Sequence, residues 1–235
     1  MSVTIAVLAR HPFGAQVKTR LSDRLDAATR AGLYCAFLRD TLRQVAAVSN
    51  VSCTLVYTPR EARAWFRELT GSSWQLIPQR DAGFGARIAG AFEDLFSEHA
   101  HVLLVGSDAP NVPRAYFERG VRALERGADV VLGPAADGGY YCIGLGRAQP
   151  GLFDAVEWSS PRTRARTKAA AAVRGLHVHE LPPWYDVDVA PDLRRLSCAL
   201  RRDPTAAPHT WHFMCGSTAC QRLAIFGHGE RERDE

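Results

Sequence analysis

The loop formed by residues 9–21 concentrates residue types that bind phosphate. It follows a short apolar segment and contains one glycine and three cationic side chains: Gly14, Arg10, Lys18 and Arg20. Backbone amides beside a glycine, together with clustered cations, suit a phosphate group. The loop is not a Walker A motif, because Val17 stands where the second glycine is required. We expect a phosphate site here, with a solvated basic loop as the alternative.

Lys18 is more indicative of function than the arginines around it, because lysine is rare in this chain. The chain has 29 basic residues, and only Lys18 and Lys168 are lysines. Coding composition commonly produces such a bias, so a lysine in this chain marks a position where a compact point charge suits better than a guanidinium fork. We therefore predict that Lys18 contacts a nucleotide phosphate. Lys168 lies in a basic, alanine-rich segment and indicates no function.

Two acidic loops provide candidate ligands for a divalent cation. Residues 106–110 and 185–192 each follow an apolar run, and their candidate side chains are Asp108, Asp186 and Asp188. One or two carboxylates, completed by phosphate oxygens and water, are the ligands that Mg²⁺ prefers. An extended segment would turn Asp186 and Asp188 to the same side. Asp192 is predicted to be a first-turn acid of the next helix, and a turn or helix cap is the alternative for the Asp108 loop.

Two glycine-bearing loops would complete a ligand pocket. Residues 79–85 begin with Gln79 and precede a helical segment, so we expect them to contact a base or ribose. Residues 137–141 contain two consecutive glycines, which would let a ligand approach the backbone closely. A simple turn is the alternative for each loop.

Alternating strand and helix patterns place these loops. Short apolar runs predict strands at 3–8, 51–57, 74–77, 101–105, 128–132, 140–145 and 176–181. Helical spacing of apolar residues predicts helices at 26–48, 59–69, 86–96, 113–126, 163–174 and 191–202. This alternation predicts an α/β fold, an open sheet with helices on both faces. Ligands bind such sheets at the carboxyl ends of the strands, where the basic and acidic loops would meet.

The chain changes character after Pro204. No repeat or Pro/Ser-rich linker divides the earlier part, so we expect one domain over residues 1–203. Residues 204–235 form a predicted extension. We expect it to be partly disordered because its end, from Gly227, is polar. The extension holds four side chains of metal-ligand type: His209, His212, Cys215 and Cys220. A zinc site is the weaker hypothesis because this spacing fits no standard finger. A polar tail with incidental histidines and cysteines is favoured.

Composition limits the class of protein. Apolar residues make up 46% of the chain and the formal net charge is +4, which excludes an intrinsically disordered chain. The modest positive charge suits a small anionic substrate, and no basic stripe with interleaved aromatics indicates a nucleic-acid partner.

No run reaches the roughly 20 apolar residues that span a bilayer, and the first apolar run is too short for an export signal. Six scattered cysteines predict reduced thiols and a cytoplasmic location, and nothing indicates the oligomeric state.

Four motifs, taken in order, resemble one superfamily. They are KTRL at 18–21, GSDAP at 106–110, GPAADGGYY at 133–141 and DVDVAPDL at 186–193. The set resembles an uncharacterised bacterial branch of the GT-A, or nucleotide-diphospho-sugar transferase-like, superfamily whose members are described as probable glycosyltransferases. It is more distantly similar to the 2-phospholactate and molybdenum-cofactor guanylyltransferases. The resemblance covers roughly residues 3–203 and implies a Rossmann-like GT-A fold with a mixed, mostly parallel sheet.

The resemblance also implies roles for individual residues. It makes Asp108 the principal ligand of Mg²⁺ or Mn²⁺ and Asp188 its partner, and it assigns catalysis to Lys18 and Asp108. The implied nucleotide-binding residues are Arg10, Gly14, Lys18, Arg20, Gln79, Gly85 and Ser107. The implied residues for the second substrate are Asp137, Gly138, Gly139 and Tyr140. Two departures, Arg10 in place of lysine and Phe13 in place of proline, weaken the inference for the first loop.

Three functions remain open at this point. The first hypothesis is a metal-dependent nucleotidyltransferase in which a small phosphorylated or anionic acceptor attacks a nucleoside triphosphate and pyrophosphate is released. The alternative is a glycosyltransferase that uses a nucleotide sugar, with Asp137 as the candidate base. A non-catalytic nucleotide-binding module is the third hypothesis. The number of cations in the first loop favours the first hypothesis, because a triphosphate needs more cationic contacts than a diphosphate.

Overall fold

The computed structural model describes residues 2–13 and 17–225. The strands are β1 (Val3–Arg10), β2 (Val51–Thr58), β3 (Gln75–Pro78), β4 (His101–Val105), β5 (Val130–Pro134), β6 (Tyr140–Leu145) and β7 (Val178–Glu180). The helices are α1 (Ala27–Ala46), α2 (Arg63–Thr70), α3 (Phe84–Phe96), α4 (Arg114–Glu125), α5 (Thr163–Val173), α6 (Ala190–Arg202), α7 (Pro208–Gly216) and α8 (Thr218–Ile225). None of these helices combines the length and the hydropathy needed to span a bilayer.

The strands form one mixed sheet with the order β3-β2-β1-β4-β6-β5-β7. β1 is parallel to both of its neighbours, with Val3 opposite Val51 on β2 and His101 on β4. β6 runs antiparallel to β4 and β5, whereas the β2–β3 and β5–β7 pairs are parallel. The predicted fold class, a mixed and mostly parallel sheet in a Rossmann-like α/β fold, is confirmed.

The central strands are buried on both faces, which explains their continuous apolar sequence. Ile5 and Val7 on β1 face the core beneath α1, α2 and α4. Ala6 points to the other side, where it meets the apolar faces of α3 and α5. The ends of the predicted strands shift by at most two residues. The predicted helix at 59–69 begins later than expected, because a 3₁₀ turn over Arg60–Ala62 precedes α2.

The segment after Asp203 packs against the rest of the molecule over its described part. Helix α7 contacts α1, and α8 contacts α6. Met214 and Cys220 are buried in the same apolar cluster as Phe37 of α1 and Leu196 of α6. Residues 208–225 therefore share a core with the sheet domain. The polar end from Gly227, for which we expect disorder, lies outside the described residues.

A buried carboxylate connects α1 to the start of α7. Asp40 on α1 is 0% exposed and accepts hydrogen bonds from the backbone N–H groups of His209 at 3.1 Å and Thr210 at 2.7 Å. These amides lie in the first turn of α7, whose N-cap position is Ala207 and offers no side-chain acceptor. Asp40 thus caps a helix far from it in the sequence.

Replacing this carboxylate tests how firmly the C-terminal segment is held. Asp40→Ala leaves two helix amides without their acceptor, and we expect a loss of about 1–3 kcal/mol in the free energy of unfolding. In a chain of this size, each kcal/mol lowers Tm by roughly 2–4 °C. The exposed Asp23→Ala is the control and should stay within about 0.5 kcal/mol of the wild type. Equal stability of both variants in denaturant titrations would contradict the capping role.

Candidate active site

Three side chains from distant parts of the chain meet at the carboxyl edge of the sheet. Lys18 comes from the loop after β1, Asp108 from the loop after β4, and Asp188 from the segment before α6. Both carboxylates form ion pairs with the Lys18 ammonium. Together with Arg10, Arg20 and other residues they line a cavity of about 300 Å³. The structure therefore brings the predicted phosphate loop to both predicted acidic loops.

The Lys18 ammonium is enclosed by protein. Its side chain is 2% exposed, and Nζ lies 3.2 Å from Asp188 Oδ1 and in direct contact with Asp108. Nζ also donates a hydrogen bond to the backbone oxygen of Val187 at 2.8 Å. Burial lowers the pKa of Lys18, but the two carboxylates outweigh that effect and raise the pKa above its ordinary value. The side chain therefore stays protonated.

These contacts change the role that we expect for Lys18. An ammonium has three N–H groups, and the three acceptors around Nζ use all of them. The backbone of Lys18 is left-handed, with φ 49° and ψ 42°, and the ring of Phe37 lies 5.3 Å from Nζ. The sequence predicts a direct phosphate ligand, whereas in the structure Lys18 holds two carboxylates together. A contact between Lys18 and phosphate stays a prediction.

Backbone hydrogen bonds fix the two acidic loops relative to each other. The carbonyl of Asp108 accepts a hydrogen bond from the N–H of Val187 at 2.9 Å. The Asp192 carboxylate accepts from the N–H groups of Asp188 and Val189, both at 3.0 Å. Asp192 therefore has the helix-start role that the sequence predicts. Asp188 is left free to face the cavity.

Asp108 and Asp188 fit a hard divalent cation. Their side chains are 45% and 36% exposed and their oxygens converge on one positive charge, the Lys18 ammonium. Within the described residues no group of three or more His, Cys, Asp or Glu side chains has the spacing of a metal site. Two carboxylates completed by phosphate oxygens and water match Mg²⁺ or Mn²⁺ better than a metal held by protein ligands alone.

The two arginines of the first loop differ in how they are engaged. Arg20 is 67% exposed and approaches Asp188 Oδ2 at 3.6 Å, which leaves most of its guanidinium accessible. Arg10 is exposed and lines the cavity, and its backbone N–H donates to the Tyr34 hydroxyl at 3.0 Å. Both side chains border the cavity, and their contact with a phosphate stays a prediction. Gly14, the predicted glycine of the loop, lies outside the described residues.

Two further groups lie at this site: Asp186, a sequence candidate to which the resemblance assigns no role, and Tyr34, which the sequence does not indicate. Asp186 lies near the cluster, and burial raises the pKa of its carboxyl to about 7, an effect increased by Asp108 and other nearby carboxylates. The DVD spacing indicates Asp186, but only Asp188 is assigned as a ligand. Tyr34 on α1 hydrogen-bonds Ser107 Oγ at 2.8 Å and lines the cavity. Its helical spacing predicts nothing more than core packing.

A second lobe of the cleft lies on the α3 side of Asp108. This lobe, a cavity of about 180 Å³, is lined by Gln79, Ser107 and other residues. The Gln79 amide donates to the backbone oxygens of Ala9 at 3.3 Å and Val56 at 3.0 Å. Gly85 faces the protein instead, because a Cβ there would lie 2.2 Å from the Trp158 indole nitrogen. Packing therefore explains this glycine, and its contact with a nucleoside stays a prediction.

The loop between β5 and β6 is a tight turn near the acidic cluster. Gly138 has φ +91°, and a Cβ there would lie 2.1 Å from the Pro161 carbonyl oxygen. The Asp137 carboxylate accepts a hydrogen bond from the N–H of Gly139 at 2.9 Å. The Tyr140 hydroxyl is buried without a hydrogen-bond partner among the described residues, and burial raises its pKa. The turn accounts for Gly138, and the contact of Gly138 and Gly139 with a second substrate stays a prediction.

The histidines and cysteines of the C-terminal segment do not assemble into a metal site within the described residues. His209, His212 and Cys215 lie on α7, and Cys220 is buried on α8. His209, His212 and Cys215 are exposed, and Cys220 is packed in the apolar core.

Comparison with known proteins gives a family match over half of the chain. The model of a family described as uncharacterized proteins conserved in bacteria (DUF2064) matches residues 41–160, which include Asp108 and the loop at 137–141. No curated protein matches the chain.

Similar solved structures share the fold over most of the chain. A putative nucleotide-diphospho-sugar transferase from Desulfovibrio desulfuricans is 28% identical with a TM-score of 0.86, covering 95% of this chain and 99% of that chain. CMP:2-keto-3-deoxy-manno-octonic acid synthetase complexed with CTP is 10% identical with a TM-score of 0.57, covering 86% and 100%. The 4-diphosphocytidyl-2C-methyl-D-erythritol synthase from Anaerococcus prevotii is 11% identical with a TM-score of 0.56, covering 85% and 99%. The resemblance to nucleotide-diphospho-sugar transferase-like proteins is confirmed, and the last two matches show the fold alone.

The raised pKa of Asp186 predicts how stability depends on pH. Between pH 4 and pH 7 the native carboxyl holds a proton that the unfolded chain releases, so this group's contribution to stability falls as pH rises through that window. Asp186→Asn removes the charge that is penalised above pH 7. We expect the increase in its Tm over the wild type, measured in EDTA, to be clearly larger at pH 8 than at pH 5, because pH 5 crosses only part of this window. An equal shift at both pH values would contradict the assignment.

Proposed function

The chain belongs to the DUF2064 family, and we propose that this transferase moves a nucleotidyl group from a nucleoside triphosphate to a small anionic acceptor, with release of pyrophosphate. One observation carries the proposal. Asp108 and Asp188 are held against a single buried cation at the edge of the sheet where ligands of such folds bind. Exposed guanidinium groups border the same cavity.

Asp108 and Asp188 would hold Mg²⁺ or Mn²⁺ together with phosphate oxygens of the donor. When bound, the ion neutralises phosphate charge and polarises the reacting phosphoryl group. Lys18 keeps the two carboxylates adjacent, because its positive charge offsets their mutual repulsion. The metal ligands are therefore positioned by the protein itself.

The reaction exchanges one oxygen–phosphorus bond for another. An acceptor oxygen forms a bond to the α-phosphorus, the bond from that phosphorus to the bridging oxygen of the β-phosphate breaks, and the electron pair leaves with pyrophosphate. Arg10 and Arg20 lie at the cavity where they would stabilise the charge on the phosphates. An acceptor oxygen that is already anionic needs no general base. Positioning and electrostatics then suffice, without a covalent enzyme intermediate.

Glycosyl transfer from a nucleotide sugar is the second candidate. It is favoured by the similarity to the structure named as a nucleotide-diphospho-sugar transferase. The same cations would stabilise a leaving nucleoside diphosphate, but an acceptor hydroxyl would need a base. Asp137, the predicted base, already accepts a hydrogen bond from Gly139 N–H with one carboxylate oxygen. This engagement places glycosyl transfer second.

A pyrophosphate-release assay tests the proposed reaction. The protein is incubated with each nucleoside triphosphate, a panel of phosphorylated and carboxylate acceptors, and Mg²⁺ or Mn²⁺. We expect release that EDTA abolishes and that Asp108→Asn lowers by about 100-fold or more, since a charge that organises the phosphates is lost. Asp154→Asn, an exposed carboxylate outside the cavity, is the control.

The same assay separates the alternatives. Metal-dependent breakdown of nucleotide sugars with inert triphosphates would replace the proposal with glycosyl transfer. Tight nucleotide binding without turnover of either donor class would indicate a binding module.

The two lysines of the chain form a matched pair for a second test. Lys18→Arg introduces a larger, planar cation into a site that is 2% exposed, so Asp108 and Asp188 must separate. We expect kcat to fall roughly 10–100-fold, with KM for the triphosphate changing less, because the carboxylates are displaced while the outer cations remain. Lys168→Arg is the control, since that side chain is 45% exposed and pairs with Glu180. Full activity of Lys18→Arg would show that the lysine has no special role.

A further inference from the structure

Arg87 occupies an electrostatically unfavourable place at the start of α3. It lies in the first turn of a thirteen-residue helix, where the helix dipole favours negative rather than positive charge. The first turn contains no acidic residue, and the N-cap position is Gly83, which has no side chain to accept a hydrogen bond. This end of α3 therefore combines free backbone donors with a cation.

The guanidinium of Arg87 lacks a partner of its own. Its Nε is shielded from solvent and makes no hydrogen bond within the described residues. Burial lowers the pKa of Arg87, and the positive charge of Arg10 lowers it further, while Asp81 acts in the opposite direction. The exposed ring of Phe84 lies 5.7 Å from the guanidinium carbon. A shielded, unpaired donor is costly, so an acceptor that completes the site is expected.

The two guanidiniums border one lobe of the cleft. Arg10 and Arg87 both line the 180 Å³ cavity together with Gln79 and Ser107. Neither arginine forms an ion pair with a described carboxylate, and Asp108, which also lines this lobe, is paired with Lys18. The Gln79 amide nitrogen donates to backbone oxygens, and no hydrogen bond joins the Gln79 side chain to either guanidinium within the described residues. Two unneutralised like charges facing one cavity favour an anion between them.

We propose that Arg87, together with Arg10, which lines both lobes of the cleft, forms a phosphoryl-binding subsite at the start of α3. A guanidinium can donate two parallel hydrogen bonds to phosphoryl oxygens, and Arg87 lines the cavity that would receive them. The subsite rests on the proposed function only for the identity of the molecule that carries the phosphoryl group. That group belongs either to the phosphate chain of the donor or to a phosphorylated acceptor.

Calorimetric titration of the full chain tests the subsite. The probes are inorganic phosphate, pyrophosphate, each nucleoside triphosphate, the corresponding nucleoside, and a phosphorylated acceptor, each with the wild type and Arg87→Gln. We expect Arg87→Gln to weaken pyrophosphate or phosphate binding about 10-fold or more, since a charge-assisted hydrogen bond is lost. Arg87→Lys keeps the positive charge but loses the planar guanidinium, so its affinity should lie between those of the wild type and Arg87→Gln. Arg114→Gln is the control, because Arg114 also starts a helix, is 52% exposed and pairs with Glu118.

The pattern across probes identifies the source and can overturn the proposal. Weaker binding of triphosphate and pyrophosphate assigns the subsite to the donor, and weaker binding of the phosphorylated acceptor alone assigns it to the acceptor. Unchanged affinity for every anion overturns the proposal. Weaker binding of the nucleoside with unchanged pyrophosphate binding also overturns it, since Arg87 would then contact the base. Phosphate binding that depends on Arg87, found in a protein that releases no pyrophosphate, would contradict the proposed reaction but still support the subsite.

Discussion

The candidate site depends on one buried charge, the ammonium of Lys18. Removing an ammonium from water is costly unless it is paired and hydrogen-bonded, and this one has two carboxylates and a backbone oxygen as acceptors. The same contacts keep Asp108 and Asp188 adjacent although their charges repel. One side chain thus joins the loop after β1, the loop after β4 and the segment before α6. The position of each loop at the edge of the sheet depends on the other two.

Helix α1 forms the wall behind this charge and also anchors the C-terminal segment. Phe37 places its ring 5.3 Å from the Lys18 ammonium, and Tyr34, one turn earlier, hydrogen-bonds Ser107 beside the acidic loop. Asp40, in the following turn, caps α7 through two backbone amides. Consecutive turns of one helix therefore serve the site and the packing of α7. The C-terminal helices are part of the structure that supports the site, although the sequence after Pro204 suggests a separate extension.

The strands and the charged loops could be predicted from the sequence because both signals are local. Apolar runs mark β1 and β4, and the rule that ligands gather at the carboxyl ends of strands then selects Lys18 and Asp108. Tyr34 and Arg87 could not be found in this way, since each lies in a helix whose periodicity already explains it by packing or by solvation. Gly85 shows a signal that only the structure supplies. Its loop predicts a ligand contact, and a tryptophan far along the chain adds an independent packing reason for the glycine.

The distribution of charge in the cleft bears on which reaction it suits. The single positive charge of Lys18 is outweighed by the two carboxylates of Asp108 and Asp188, so the centre of the cleft would offer carboxylate oxygens to a divalent cation rather than free positive charge to a phosphate. Unneutralised positive charge lies to the side, at Arg10 and Arg87. A triphosphate carries its charge along an extended chain, and an anionic acceptor adds a second charged group, so both match a cation site flanked by guanidiniums. A nucleotide sugar with a neutral acceptor carries fewer phosphate charges, so it would make less use of the second lobe. This difference is the physical reason to place nucleotidyl transfer ahead of glycosyl transfer.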